Sequence, residues 1–258
     1  MAASAYFIGI ASVIISGIML KKLKAFAGEP APFVMELPAY HTPSAGNVLR
    51  ATWERGWSFI KRAGTVILLA SIVLWFLQGF GFEGGTFGLV EDNNSSLLAS
   101  MGRLVAWIFT PLGFGTWQAA VATITGLIAK EEVVGTFPVL YPGNLTANIA
   151  TVFTGVSAYS FMIFNLLCAP CFAAMGAIKR EMNNAKWTWA AIGYMCGFAY
   201  VTAMIVYQIG GLISGVVSFN VFTIVAAALL AGLLYLLFRP AAKTSGIASV
   251  RSTEVGKV

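Results

Sequence analysis

The sequence predicts an all-α polytopic membrane protein with about five full spans, a re-entrant or broken-helix region and an interfacial amphipathic helix. Three observations carry this. Of its 258 residues 58% are hydrophobic and only 10% are charged, against roughly 25% charged in a soluble domain. Several apolar runs reach the ~20 residues that cross ~30 Å of hydrocarbon at 1.5 Å per residue. The basic residues gather on one side of those runs. A soluble helical core would instead need amphipathic helices, and these runs are apolar all round.

The first span is residues 2–20, AASAYFIGIASVIISGIML, closed by Lys21, Lys22 and Lys24. A secretory signal carries its charge before the apolar stretch, whereas here it follows. The N-terminus is therefore expected outside, with the lysines in the cytoplasm. An N-out start with no preceding charge is what a chain continuing an upstream segment would show. Residues 25–46, AFAGEPAPFVMELPAYHTPSAG, read as a Pro-rich loop holding the single histidine, His41.

In NVLRATWERGWSFIKRAG, residues 47–64, Leu49, Trp53, Trp57 and Ile60 share one helical face, and Arg50 and Glu54 are i,i+4 partners. Trp and Lys/Arg together predict a helix at the cytoplasmic interface. A second span, about 63–80, runs outward to a polar loop at 81–100 with Glu83, Glu91 and Asp92. Residues 104–140 are apolar but interrupted by Pro111, glycines and the triplet Lys130-Glu131-Glu132. Apolar stretches follow at about 152–178, 187–208 and 217–238. This gives a transmembrane domain over 1–240 and a polar cytoplasmic tail over 241–258. The assignment puts fourteen of the sixteen Lys and Arg residues in the cytoplasm, all but Arg103 and Lys130, as the positive-inside rule requires. For the 152–178 span to end inside, region 104–150 must cross an even number of times or not at all. It is thus expected to enter and leave from the outer side, a geometry tolerated only where the break is buried in protein or lines a cavity.

The composition excludes several functions. Net charge is +6, but its distribution follows membrane topology, so no nucleic acid is implied. Cys168, Cys171 and Cys196 all lie in apolar segments, which is not a secreted disulfide framework. The single His, His41, lies in a polar Pro-flanked stretch that reads as a surface loop, so a Ser-His-Asp triad is not expected, and no GxxxxGK[ST] loop occurs. The chain by itself is not expected to be an enzyme.

Two stretches carry chemistry. Carboxylates inside a span cost roughly 2.5–3.5 kcal/mol each, so Glu131 and Glu132 in TGLIAKEEVVGTF are candidates for a cation path. They point about 100° apart on a helix. One would bind a cation while the other pairs with Lys130 or meets water; solvated charges at the outer headgroups are the alternative. In NLLCAPCFAAMGAIKRE, Pro170 has no N–H to offer the carbonyl of Leu166. On a continuous helix Cys168 and Cys171 share a face that Met175 extends. Sulfur ligands select Fe²⁺, Zn²⁺ or Cu⁺ over alkali and alkaline-earth ions. The alternatives are plain packing about a kink and thiol–disulfide exchange between the pair. Cys196, among small residues, reads as helix packing.

The segments FVMELPAYHTP, WERGWSFIKRAGTVIL, WQAAVATITGLIAKEEVVGT, FNLLCAPCFAAMGAIKREM and WTWAAIGYMCGFAYVTAMIVYQ occur in this order. Together they resemble the C-terminal half of the membrane domain of bacterial ferrous iron transport protein B (FeoB), from about residue 5 to about 237. The resemblance implies Fe²⁺ uptake across the bacterial inner membrane by a multi-pass protein with its C-terminus in the cytoplasm. It further implies an N-terminal GTP-binding domain and two Gate repeats, of which this sequence matches the second. The GTP-binding domain and first Gate repeat would lie upstream, in the same gene or in a separate chain, and any GTPase activity would reside there. The family's Pro-Cys falls on Pro170 and Cys171, and its Ala-Lys-Glu on Ala129, Lys130 and Glu131. This implies a metal-contacting role for Cys171 and a polar gate or path role for Glu131, while Cys168 sits at a more variable position. Fe²⁺ enters as transported substrate, with no permanently bound cofactor. The bilayer is a partner, and small cytoplasmic accessory proteins and a homo-oligomer stay open. So do two other functions: a membrane thiol–disulfide oxidoreductase using Cys168 and Cys171, and a Gate-type transporter of another solute. The tail has no cysteines, so the cysteine-rich ending of many members is missing from this sequence.

Overall fold

The computed structural model describes residues 2–22, 43–83, 86–90, 93–141 and 143–240. The loop with His41, the acidic pair Glu91 and Asp92, and the tail at 241–258 lie outside them. The described residues form ten α-helices: α1 (Ala2–Lys21), α2 (Ala45–Gly79), α3 (Leu97–Phe109), α4 (Trp117–Ile128), α5 (Glu131–Leu140), α6 (Leu145–Val152), α7 (Gly155–Leu167), α8 (Phe172–Met182), α9 (Ala185–Ile213) and α10 (Val221–Phe238). This is an all-α polytopic membrane protein. Helices α1, α9 and α10 are each long and apolar enough to cross a membrane unbroken. Two further apolar stretches are bent pairs: residues 97–112 meet α4 at 98°, and α6 meets α7 at 96°. Counting each bent pair as one span gives five.

Helix polarity agrees with the charge pattern. Lys22, just past α1, donates to the Leu237 carbonyl near the end of α10, and Tyr159 at the start of α7 donates to Ser4 at the start of α1, 3.0 Å away. Helices α1, α7 and α10 therefore run in parallel. Lys21, Lys22 and Arg239 end on one side of the bundle. Helix α9 returns against α7, the Ser160 hydroxyl donating 3.0 Å to the Ala203 carbonyl. Ala199 and Ala203 are fully buried; small residues are what let backbones come this close in lipid, where apolar burial alone gives no drive. Beside them Phe109, Phe114, Phe153, Phe161 and Phe164 fill the core with edge and stacked contacts.

Three elements differ from their expected outlines. The interfacial segment and second span are one continuous helix of 35 residues, α2, opened by Ser44 accepting from the Asn47 N–H. No breaker separates the amphipathic half from the apolar half. At 1.5 Å per residue it is about 52 Å long, well beyond ~30 Å of hydrocarbon. Its exposed first half keeps the expected face, with Trp53 stacked on Trp57, Lys61 over the Trp57 ring and Arg50 paired to Glu54 at 3.0 Å. The loop at 81–100 begins as an antiparallel hairpin, β1 (Phe80–Glu83) with β2 (Thr86–Leu89), Phe82 opposite Phe87. The 152–178 stretch is not one helix: it divides into α7 and α8 around residues 168–171.

Candidate functional site

Two chain breaks meet inside the bundle. The first is at Ala129 and Lys130. Ala129 is extended (φ −146°, ψ 132°) and α4 ends before it, while α5 starts at Glu131 and doubles back. The fold-back shows in pairs spaced evenly about the break. The Thr125 and Thr136 hydroxyls lie 3.1 Å apart, and a Cβ built on Gly126 would sit 2.4 Å from Val133 Cγ2. Helices α4 and α5 thus fold back on each other at this break.

Gly126 allows the approach. Gly126→Ala is expected to destabilise the protein by about 1–3 kcal/mol of overpacking, offset by ~1 kcal/mol of better helix propensity. Val133→Ala removes the obstructing methyl, so the double variant should unfold in detergent with a coupling of about 1 kcal/mol in its favour. Strict additivity would mean that α4 and α5 do not touch there.

The second break is at residues 168–171. Pro170 disfavours helical geometry in the residue before it and supplies no N–H. The chain accordingly leaves α7 at Leu167, with Cys168 extended (φ −65°, ψ 171°), and re-enters at Phe172 behind Cys171. This corrects the shared helix face expected of Cys168, Cys171 and Met175: Cys168 caps the end of α7, Cys171 precedes α8, and Met175 lies one turn inside it. Cys168 is buried and Cys171 half-buried. The freed carbonyl that has found a donor is that of Asn165.

That donor is Lys130. Its Nζ lies 2.8 Å from the Asn165 carbonyl and 3.1 Å from Cys168 Sγ. The negative end of α7 thus holds a cation, as helix C-termini favour. The expected pairing of Lys130 with a neighbouring carboxylate is absent from the ion pairs of the described residues. Glu131 is exposed and Glu132 half-buried, both in the first turn of α5, where the helix dipole favours acids. From α2 to α10, only α5 and α8 open without a capping side-chain hydrogen bond; α2, α3, α4, α6, α7, α9 and α10 begin on Ser, Thr or Asn. Uncapped starts coincide with the two breaks.

Asn165 is the residue the sequence reading missed, although an amide in the apolar run SFMIFNLLCAP is its own signal. Its Nδ2 donates to the Phe161 carbonyl at 2.9 Å. Its Oδ1 is enclosed with no hydrogen-bond partner and faces Gly126, 3.7 Å from where a Cβ would stand. On the other side of the break a cavity of ≈ 430 Å³ opens between α1, α7 and α9, lined by Ser12, Ser16, Cys168, Pro170 and Tyr194 among others. Among the described residues no three His, Cys, Asp or Glu side chains converge as a metal cluster. The site offers single donors, sulfur and carbonyl, beside hydroxyls.

Residues 2–55 match the family model described as Ferrous iron transport protein B C terminus, and residues 60–185 match the Gate model, described as Nucleoside recognition. Both breaks lie within the Gate match. The Fe(2+) transporter FeoB of Methanocaldococcus jannaschii is 38% identical over 219 residues, covering 81% of this chain and 32% of that protein. Its namesake from Staphylococcus aureus (strain COL) is 37% identical over 212 residues, covering 81% and 31%. That of Salmonella typhimurium (strain LT2) is 33% identical over 263 residues, covering 80% and 33%. The chain spans about a third of the length of these curated relatives. No solved structure matches it.

Proposed function

Because this chain is a FeoB relative that carries both FeoB C-terminal and Gate sequence, we propose that it forms part of a ferrous iron permease, with Fe²⁺ passing where the two helix breaks meet. The observation that carries this reading is the meeting itself. The break at 168–171 brings sulfur and a helix-end carbonyl against the tip of a second broken element, and that tip already delivers a cation to them.

Fe²⁺ must shed water to pass, so the path has to replace oxygen ligands one or two at a time. Broken helices supply backbone carbonyls at membrane depth without an unsatisfied lipid-facing backbone. Cysteine sulfur favours Fe²⁺ over Mg²⁺ and Ca²⁺, and a site with few protein ligands lets go of what it binds. Cys171 is the transient ligand, with Cys168 and Met175 as further soft donors. Glu131 and Glu132 attract the ion electrostatically, and water or an upstream half completes its shell. In this reading the N-terminus faces outward, the C-terminus is cytoplasmic, the membrane is the bacterial inner membrane, and an upstream GTP-binding domain governs opening.

The test is uptake of radioactive ferrous iron by proteoliposomes holding the protein together with its upstream half, competed by Mn²⁺, Zn²⁺ and nucleosides. Competition by transition metals and none by nucleosides is expected. Inhibition by nucleosides, with iron left outside, would replace this reading with a Gate-type transporter of another solute.

A further inference from the structure

We propose that Lys130 is a tethered cation that locks the path, its ammonium occupying the place of the metal ion on the Asn165 carbonyl and Cys168 Sγ. The inference rests on the iron-path reading and adds to it what holds the path shut. The contacts are 2.8 Å to the carbonyl oxygen and 3.1 Å to the sulfur. Both atoms are electron donors of the kind a divalent ion uses, and both belong to the end of α7, where the helix dipole is negative. Asn165 Oδ1, enclosed and without a hydrogen-bond partner, faces Gly126 on α4 rather than the ammonium. The Lys130 ammonium serves both acceptors, the carbonyl and the sulfur. A metal ion can take the same two.

Charge makes the two occupants mutually exclusive. An ammonium and Fe²⁺ cannot share two donors 3.7 Å apart in a poorly screened interior, so the ion binds only when Lys130 leaves. Glu131 and Glu132 follow it directly in sequence and join no ion pair among the described residues, which gives the displaced ammonium a place to go. The hairpin tip that carries Lys130 is therefore the moving part, and Asn165 is a ligand as well as a latch. Without a protein change that draws the tip away, Fe²⁺ has to compete with a covalently attached rival at high local concentration.

The experiment titrates the purified full chain in nanodiscs with Co²⁺ under reducing, anaerobic conditions, following sulfur-to-metal charge-transfer absorption. The wild-type chain should bind weakly. Lys130→Met, and Lys130→Gln (which keeps a donor for the Asn165 carbonyl), should bind at least tenfold more tightly, and Lys130→Arg should resemble wild type. Adding Cys168→Ser to Lys130→Gln should abolish the gain. Binding by Lys130→Gln no tighter than wild type overturns the lock, and so does a gain that survives Cys168→Ser. If circular dichroism shows both neutral variants unfolded, Lys130 is a structural cross-link and the lock is equally overturned. Transport is not read here, so the two readings fail separately. Tighter Co²⁺ binding in a protein that moves no iron would leave the lock standing and remove the permease.

Discussion

Ferrous iron uptake should fall at least tenfold in Cys171→Ser and by a smaller factor in Cys168→Ser. A tenfold loss corresponds to about 1.4 kcal/mol, a modest demand on a ligand contact made during passage. The two cysteines differ in their commitments. Cys168 is only 6% exposed and already engaged by Lys130 at 3.1 Å. Cys171 is half-buried and makes no side-chain capping bond to α8, so its sulfur is available. Serine retains size and polarity, and the extended backbone at Cys171 (φ −58°, ψ 159°) suits it as an N-cap. The fold should survive while the soft ligand is lost. The measurement is the initial uptake rate into proteoliposomes at matched protein content, with the upstream half present. A thiol–disulfide oxidoreductase would need both sulfurs, so equal losses in the single variants, with the double variant no worse, would favour redox chemistry. Full uptake by Cys171→Ser would remove that residue from the path.

Much of this was legible in the sequence because the strongest signals are local. Apolar runs, and charges placed at one end of each, located α1, α9 and α10 without reference to packing. Pro170 marked a place where a helix cannot simply continue, and it is a break. The triplet Lys130-Glu131-Glu132 reads as part of one helix around 117–140, which the structure divides at Ala129 and Lys130. What failed was the geometry assumed at the break. The face shared by Cys168, Cys171 and Met175 presumed helical periodicity through a proline, whose influence on the preceding residue ends α7 early. The hairpin of β1 and β2 hid in a Gly-rich loop because four-residue strands give little alternation to read. The joining of two elements into α2 went unseen because a change from amphipathic to purely apolar pattern resembles a boundary although nothing breaks the helix. The Lys130 contacts were beyond sequence reading, since they span 35 and 38 residues and leave no periodic trace.

Gly113→Ala should cost about 3 kcal/mol or more and leave little folded protein. The residue closes the turn after Pro111 with φ +85°, its N–H donating to the Thr110 carbonyl at 3.0 Å. A side chain in the left-handed region costs about 1–2 kcal/mol by itself. Here the added Cβ would also stand 2.1 Å from Tyr207 Cε2 and 2.3 Å from Cδ2, so the ring must leave its place on α9. The turn cannot move away to relieve this. The adjacent Gln208, 2% exposed, donates 2.7 Å to the Pro111 carbonyl and accepts from Thr223 on α10. Glycine is thus required twice, by backbone sign and by space, where residues 97–112 bend 98° into α4. Thermal unfolding in detergent measures the loss. Tyr207→Ala added to Gly113→Ala should recover the steric part and leave the backbone part. Wild-type stability in the single variant, or no recovery in the double, would show that the ring does not seal this turn. The consequence reaches the site because α4 is the rod between the turn and Lys130. A displaced start of α4 moves its far end, so the Gly113 variant should also lose the contact of Lys130 with the end of α7.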